Sequence, residues 1–169
     1  MERSDVELLL PGGSSVSLRP VTPADEEFLL RVYASTREVE LAQFAWAEGQ
    51  KELFVSWQFG LQRREYETRF PDAQYNTILV DGQPAGRIWV GRDDKQIRLL
   101  DIALLPEFQN RGVGTVLLRR LMDESKTAKG SDVSFFECLF QSQRGAFLKL
   151  FPNGAEILAS QSIPESTLR

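Results

Sequence analysis

Gln109-Asn110-Arg111-Gly112-Val113-Gly114 places two glycines and a cation ahead of an amphipathic stretch. The first turn of a helix leaves backbone N–H groups without carbonyl partners and carries a partial positive charge. Glycine at such a turn lets the phosphates of a ligand come close to the backbone. Arg111 adds a side-chain cation. The chemistry on offer is anion binding, above all of a pyrophosphate; the plain alternative is a tight strand-to-helix turn. Two better-known phosphate loops do not fit. A dinucleotide fingerprint opening at Gly112 needs a third glycine where Leu117 stands. A P-loop needs a lysine before its hydroxyl residue, and here Gly114 runs directly into Thr115.

The rest of the composition narrows the field. The chain has 169 residues, no histidine and one cysteine, Cys138. That excludes Ser-His-Asp and Cys-His machinery, His-containing zinc sites and intramolecular disulfides. No metal is expected, and Cys138 reads as a small buried hydrophobe. The net charge of −4 argues against nucleic-acid binding, which rests on Lys and Arg releasing counterions. No apolar run approaches the length of a membrane span, and the start MERSDVELLLPGG lacks a basic leader. The expected address is the cytoplasm. Hydrophobic residues at 42% and charged residues at 26% fit one globular domain.

The elements that must position the glycine loop follow from pattern. Residues 1–13 read as an N-terminal arm with a short strand at Val6–Leu10. A half-buried strand follows at Ser15–Arg19. Thr22-Pro23 with Asp25, Glu26 and Glu27 opens a helix whose apolar stripe is Phe28, Leu29, Val32 and Tyr33. Gln50–Tyr66 is helical by pattern, with Leu53, Trp57 and Leu61 one turn apart and Phe54 beside them. Strands at Tyr75–Val80 and Ala85–Gly91 are joined through Asp81-Gly82, a hairpin signal. Gln96–Leu105 is a third strand, ended by Pro106. Gly112–Ser125 is an amphipathic helix with Val113, Leu117 and Leu121 in one row, and Leu118 and Met122 in the next. Val133–Phe140 is an apolar strand, Ala146–Leu150 a short helix and Ala155–Ala159 a last strand. The class is α+β, with one crossover helix creating a parallel strand pair. Residues 14–160 form the domain and 161–169 a polar tail.

Within that order, Leu99–Met122 resembles motif A of the GNAT superfamily of N-acetyltransferases. The strand ends in Ile102-Ala103-Leu104-Leu105-Pro106, and the Q/R-x-x-G-x-G pattern runs from Gln109 to Gly114. The resemblance implies the GNAT acyl-CoA N-acyltransferase fold, a mixed central sheet with helices on both faces. It implies acetyl-CoA as cosubstrate, with Asn110–Thr115 (Asn110, Arg111, Gly112, Val113, Gly114, Thr115) around the pyrophosphate and Gln109 opening the loop. Backbone groups of Ile102, Ala103 and Leu104 would pair with the pantetheine arm, between strands splayed at Gln96–Leu105 and Val133–Phe140. The N–H near Leu104 would polarise the thioester carbonyl. A primary amine of a small molecule or protein would attack directly, without a covalent enzyme intermediate.

Direct attack needs a base. Asp101 is one candidate: it stands in an apolar strand and by strict alternation shares a face with Leu99 and Ala103. The other reading of Asp101 is an ion pair with Arg98 or Arg87. Glu137 on the next strand is the competing base. The family's usual tyrosine acid falls at Leu150, after Gln143 and Ala146, so Tyr33 or Tyr75 would have to serve, or activity would be lost. A CoA-binding regulatory module without catalysis is therefore the alternative function. Ser134–Pro152 is rich in phenylalanine and departs from the family texture, as a local change of reading frame would make it. By the same resemblance the residues after Ala159 are too few for the family's full closing hairpin, and pairing with a second subunit is the expectation. Phe44, Trp46, Trp57 and Phe59 are candidates to line an acceptor pocket or to form core, and Gln58 and Gln62 to contact an acceptor.

Overall fold

The structure is a computed structural model and describes residues 7–94, 96–127 and 132–135. In chain order the elements are β1 (Leu8–Leu9), β2 (Ser15–Pro20), α1 (Glu26–Leu41), α2 (Gln50–Arg69), β3 (Gln74–Val80), β4 (Gln83–Arg92), β5 (Gln96–Leu104), α3 (Val113–Thr127) and β6 (Asp132–Phe135). Single 3-10 turns at Pro23–Asp25 and Pro106–Phe108 precede α1 and the glycine loop. Glu137, Cys138, Gln143 and the segments expected at Ala146–Leu150 and Ala155–Ala159 lie outside the described residues.

Local chemistry sets several of these boundaries. Thr22 and Asp25 form a capping box, and Arg19 holds the same carboxylate through two bonds of 2.6 and 3.0 Å. Arg19 and the Thr22 donors keep the Asp25 carboxyl well below the usual carboxylate range. Asp81 and Gly82 both take positive φ, 49° and 78°, as a two-residue hairpin turn requires between β3 and β4. The Asp81 carboxylate also accepts the Ser15 N–H at 2.8 Å, pinning β2 to that turn.

The strands form one mixed sheet in the order β1-β2-β3-β4-β5-β6. Neighbours are antiparallel from β1 to β5, while β5 and β6 run parallel from Gln96↔Asp132 to Leu99↔Phe135. α3 is the crossover that makes that parallel pair. It buries Val113, Leu117, Leu118 and Leu121 against Ile88, Val90, Leu99 and Ile102 on one face of the sheet. α1 and α2 cover the other face, where Leu29, Tyr33, Val55, Phe59 and Tyr66 pack on Trp89 and Leu100. No described helix is long and apolar enough to cross a membrane.

Two expectations are corrected. The register between β4 and β5 steps from Trp89↔Asp101 to Val90↔Leu99, so Leu100 is an extra residue. Such a bulge resets the alternation of side chains. Leu99 therefore joins the α3-side core, while Leu100 packs under α2 and Ala103 packs with Val32 of α1. Asp101 shares a face with Ala103 but not with Leu99. The second correction concerns α2. Its Leu53, Trp57 and Leu61 row points outward, at 74%, 61% and 47% exposure. The sheet instead selects Val55, Phe59 and Tyr66 on the opposite side of the helix.

Candidate active site

The glycine loop is built by the end of β5. Pro106 closes the strand, since it has no N–H for the ladder. The chain then turns through Asn110 and Gly112, whose φ values are 60° and 86°. Asparagine tolerates that left-handed region and glycine occupies it freely. The first helical bond of α3 runs from the Val116 N–H to the Gly112 carbonyl at 3.0 Å. The N–H groups of Val113, Gly114 and Thr115 thus have no carbonyl partner within the helix. The first turn carries no acidic residue, and Lys126 sits in the last turn, the charge arrangement that complements the helix dipole.

The two glycines differ. Gly112 is required by its backbone conformation. Gly114 has no left-handed φ, and a Cβ added there would meet nothing within 4 Å. Neither packing nor conformation calls for glycine at 114. Its absent side chain leaves open surface over the N–H groups, a cradle that a Cβ would fill. Val113 anchors the turn with a side chain only 1% exposed, so it has only backbone to offer a ligand. Arg111 is exposed, its guanidinium 5.5 Å from the centre of the Phe108 ring.

The strand edge beside the loop follows from the ladder. The Leu105 N–H bonds to the Ala85 carbonyl at 2.9 Å. Antiparallel pairs alternate, so Arg87↔Ala103 is the next mutually bonded pair. The intervening Gly86↔Leu104 and Ile88↔Ile102 pairs point their N–H and C=O groups away from each other. Ile102 and Leu104 therefore turn their backbone groups from β4 toward the β6 side. Ala103 turns its own to Arg87. Gln109 does not extend toward the helix terminus: its amide donates to the Leu104 carbonyl at 2.8 Å.

Asp101 lies on the α1–α2 side, 5% exposed, and pairs with Arg87 at 2.5 Å. Arg98 instead pairs with Asp93 at 3.3 Å. Burial pushes the Asp101 carboxyl up, against the pull of the Arg87 guanidinium and the Ile102 N–H. Arg87 is 2% exposed and also donates to Gln62 of α2 at 3.2 Å. Its Nε and Nη1 have no hydrogen-bond acceptor among the described residues. Aromatic faces surround it instead, with its guanidinium 4.6 Å from Trp89 and 5.7 Å from both Tyr33 and Phe59. Next to this cluster the Tyr66 hydroxyl donates to the carbonyl of the bulged Leu100 at 3.2 Å.

The aromatic residues expected at an acceptor pocket are divided. Phe59 is core and stacks on Tyr33 at 5.5 Å. Phe44, Trp46 and Trp57 form a surface chain of ring contacts with Phe54. Gln58 lies 3.5 Å from the Tyr33 hydroxyl, so both glutamines read as acceptor contacts have protein partners. The Tyr75 hydroxyl donates to the Phe70 carbonyl at 3.1 Å, and burial pushes its pKa up. Among the described residues no cluster of three or more His, Cys, Asp or Glu could hold a metal. Pattern reading overlooked Gly86 and Tyr66. An isolated glycine inside a strand pattern signals close backbone approach, so Gly86 was detectable; Tyr66 acts through a tertiary contact and left no such signal.

Comparison with known proteins gives the family of the chain. The model of the acetyltransferase (GNAT) family matches residues 34–146. The chain belongs to that family. Membership identifies it as an acyltransferase by family. Three solved GNAT structures show the same fold at low identity. The PaiA N-acetyltransferase of Thermoplasma acidophilum, in complex with coenzyme A, superposes with a TM-score of 0.53 at 18% identity, over 80% of this chain and 87% of that one. RimJ of Mycobacterium smegmatis, in complex with CoA-disulfide, gives 0.54 at 19% identity, over 86% and 72%. A GCN5-related N-acetyltransferase of Rhodopseudomonas palustris gives 0.52 at 17% identity, over 85% and 81%. No curated protein matches the chain.

Proposed function

We propose that this GNAT protein moves an acetyl group from acetyl-CoA to a primary amine of a small molecule or protein by direct attack. The observation that carries the reading is the start of α3. Gly112 turns the chain there, and Gly114 leaves open space over N–H groups that have no partner in the helix. That opening fits a pyrophosphate, with Arg111 free of the core to add its charge. The pantetheine arm would meet the backbone edge of Ile102 and Leu104, which faces away from β4. Bound there, acetyl-CoA supplies an activated thioester. The N–H of Leu104 would polarise its carbonyl.

Asp101 is our candidate base within the described residues. Burial pushes its carboxyl up against the pull of Arg87, and it stands three positions before Leu104 on the same strand. Its pair with Arg87 also ties β4 to β5, so the base role is best read from a pH profile rather than from a substitution. Glu137 is the second candidate.

The test is turnover. Purified protein is incubated with acetyl-CoA and a panel of primary amines and N-terminal peptides, and free thiol is followed. Amine-dependent thiol release is the expected result. Binding of acetyl-CoA without release for any amine would support the non-catalytic CoA-binding module instead.

A further inference from the structure

We propose that Gly86 and Gln109, neither of them next to Leu104 in sequence, are positioning residues that aim the Leu104 N–H at the thioester carbonyl. The inference rests on the acetyltransferase reading and names what orients its electrophile-activating group. A backbone N–H cannot choose a rotamer. Its direction is that of its peptide plane, and the plane holding the Leu104 N–H also holds the Ala103 carbonyl.

Gly86 acts on that plane directly. It lies opposite Leu104 in the ladder. A Cβ on residue 86 would come within 2.1 Å of the Ala103 oxygen and 3.0 Å of the Leu104 Cα. Both are backbone atoms, so no side chain can swing aside. An alanine there must push the Ala103 carbonyl, and with it the N–H on the other end of the plane. Gly86 has no positive φ, so conformation alone does not explain the glycine. Close approach does.

Gln109 acts on the following plane. Its side-chain amide donates to the Leu104 carbonyl at 2.8 Å. That carbonyl faces away from β4, and among the described residues no ladder bond fixes it. Gln109 also opens the phosphate loop, so the bond fastens the loop to the strand at the residue that would face the thioester. The two planes that meet at the Leu104 Cα are thus held separately, one by the missing Cβ of Gly86 and the other by Gln109.

The experiment uses acetyl-CoA labelled with 13C at the carbonyl, bound to the full chain, with the thioester C=O stretch read by difference infrared spectroscopy. Calorimetry with CoA, which has no acyl carbonyl, runs in parallel. The expected result is a red-shifted carbonyl band in the wild type. Gly86→Ala and Gln109→Met should lose most of that shift in spectra taken at saturating acetyl-CoA, the saturating concentration being set for each variant by the calorimetry, and Gln109→Arg, which keeps a donor, should restore it. Should Gly86→Ala fail to fold, the Gln109 pair of variants decides the matter. An undiminished shift in the variants overturns the proposal. So does a fall in CoA affinity with the saturated band still fully shifted, which would make both residues supports of the phosphate loop alone. A wild type that binds acetyl-CoA with no band shift overturns the aiming of Leu104 and leaves the cofactor site standing. A wild type that binds no acetyl-CoA overturns the acetyltransferase reading itself, and this inference with it.

Discussion

The two faces of the sheet are built from different chemistry. The buried core under α3 is aliphatic, with Val16, Ile78, Ile88 and Leu99 meeting Val113 and Leu117, all at most 2% exposed. The face under α1 and α2 is aromatic and buries charge: Trp89, Tyr33 and Phe59 surround the guanidinium of the Arg87–Asp101 pair. Thr77 Oγ1 and Trp89 Nε1 are also buried there without a hydrogen-bond partner among the described residues. The α3 side needs only close packing to hold the glycine loop against the end of β5. The other side holds groups whose desolvation is costly unless they are paired. The bulge at Leu100 lets one strand serve both, since it shifts Leu99 to the aliphatic side and keeps Asp101 on the charged one.

Breaking the ion pair should produce the largest effect. Arg87→Met leaves the Asp101 carboxylate buried and alone, a loss of about 3–5 kcal/mol by urea denaturation. The double variant Arg87→Met/Asp101→Leu should regain much of that loss, because no uncompensated charge remains. Equal destabilisation of single and double variants would mean that packing, not charge, governs this face. On the α3 side, Leu117→Ala should cost about 3 kcal/mol through cavity formation, within the usual range for core leucines. Its loss should be independent of pH between 5 and 8, on the order of the range where no aliphatic contact titrates.

The start of α1 sharpens the comparison at a smaller scale. Asp25 is held below its ordinary value by Arg19. Its contribution is therefore whole above the unfolded value of about 4 and is lost as the pH falls below it. Asp25→Asn should cost about 1–2 kcal/mol at pH 7, because it removes the charge that receives the two Arg19 hydrogen bonds. It should also flatten the acid limb of a stability–pH curve; an unchanged limb would contradict the assignment. Smallest of all, Trp57→Ser on the outward face of α2 should shift stability by no more than about 0.5 kcal/mol in thermal melts.

The same comparison shows how much of the molecule was legible in its sequence. The α3 side was readable nearly residue by residue, because Val113, Leu117 and Leu121 repeat at helical spacing and are 1%, 2% and 5% exposed. So were the Asp81-Gly82 turn, whose two positive φ angles demand such residues, and the glycine loop. The α1–α2 side was less readable. The Leu53, Trp57 and Leu61 row has the right period, yet which side of α2 is buried depends on the aromatic floor of the sheet. The bulge leaves no trace in Arg98–Ala103, where simple alternation continues to look sound. Asp101 was visible as anomalous, but only the fold chose Arg87 over Arg98 as its partner. The motif marks Gln109 as the residue that opens the cofactor loop, and only the fold shows that its amide donates to the Leu104 carbonyl.

The central claim is that the open turn at Gly114 is a pyrophosphate site, and calorimetric titration of CoA into the wild type and Gly114→Leu tests it most directly. A Cβ at 114 meets no protein atom within 4 Å, and a folded variant is verified by thermal melting alongside the wild type. The account predicts saturable binding of one CoA per chain to the wild type and its loss in the folded variant. Equal binding by both proteins would contradict it.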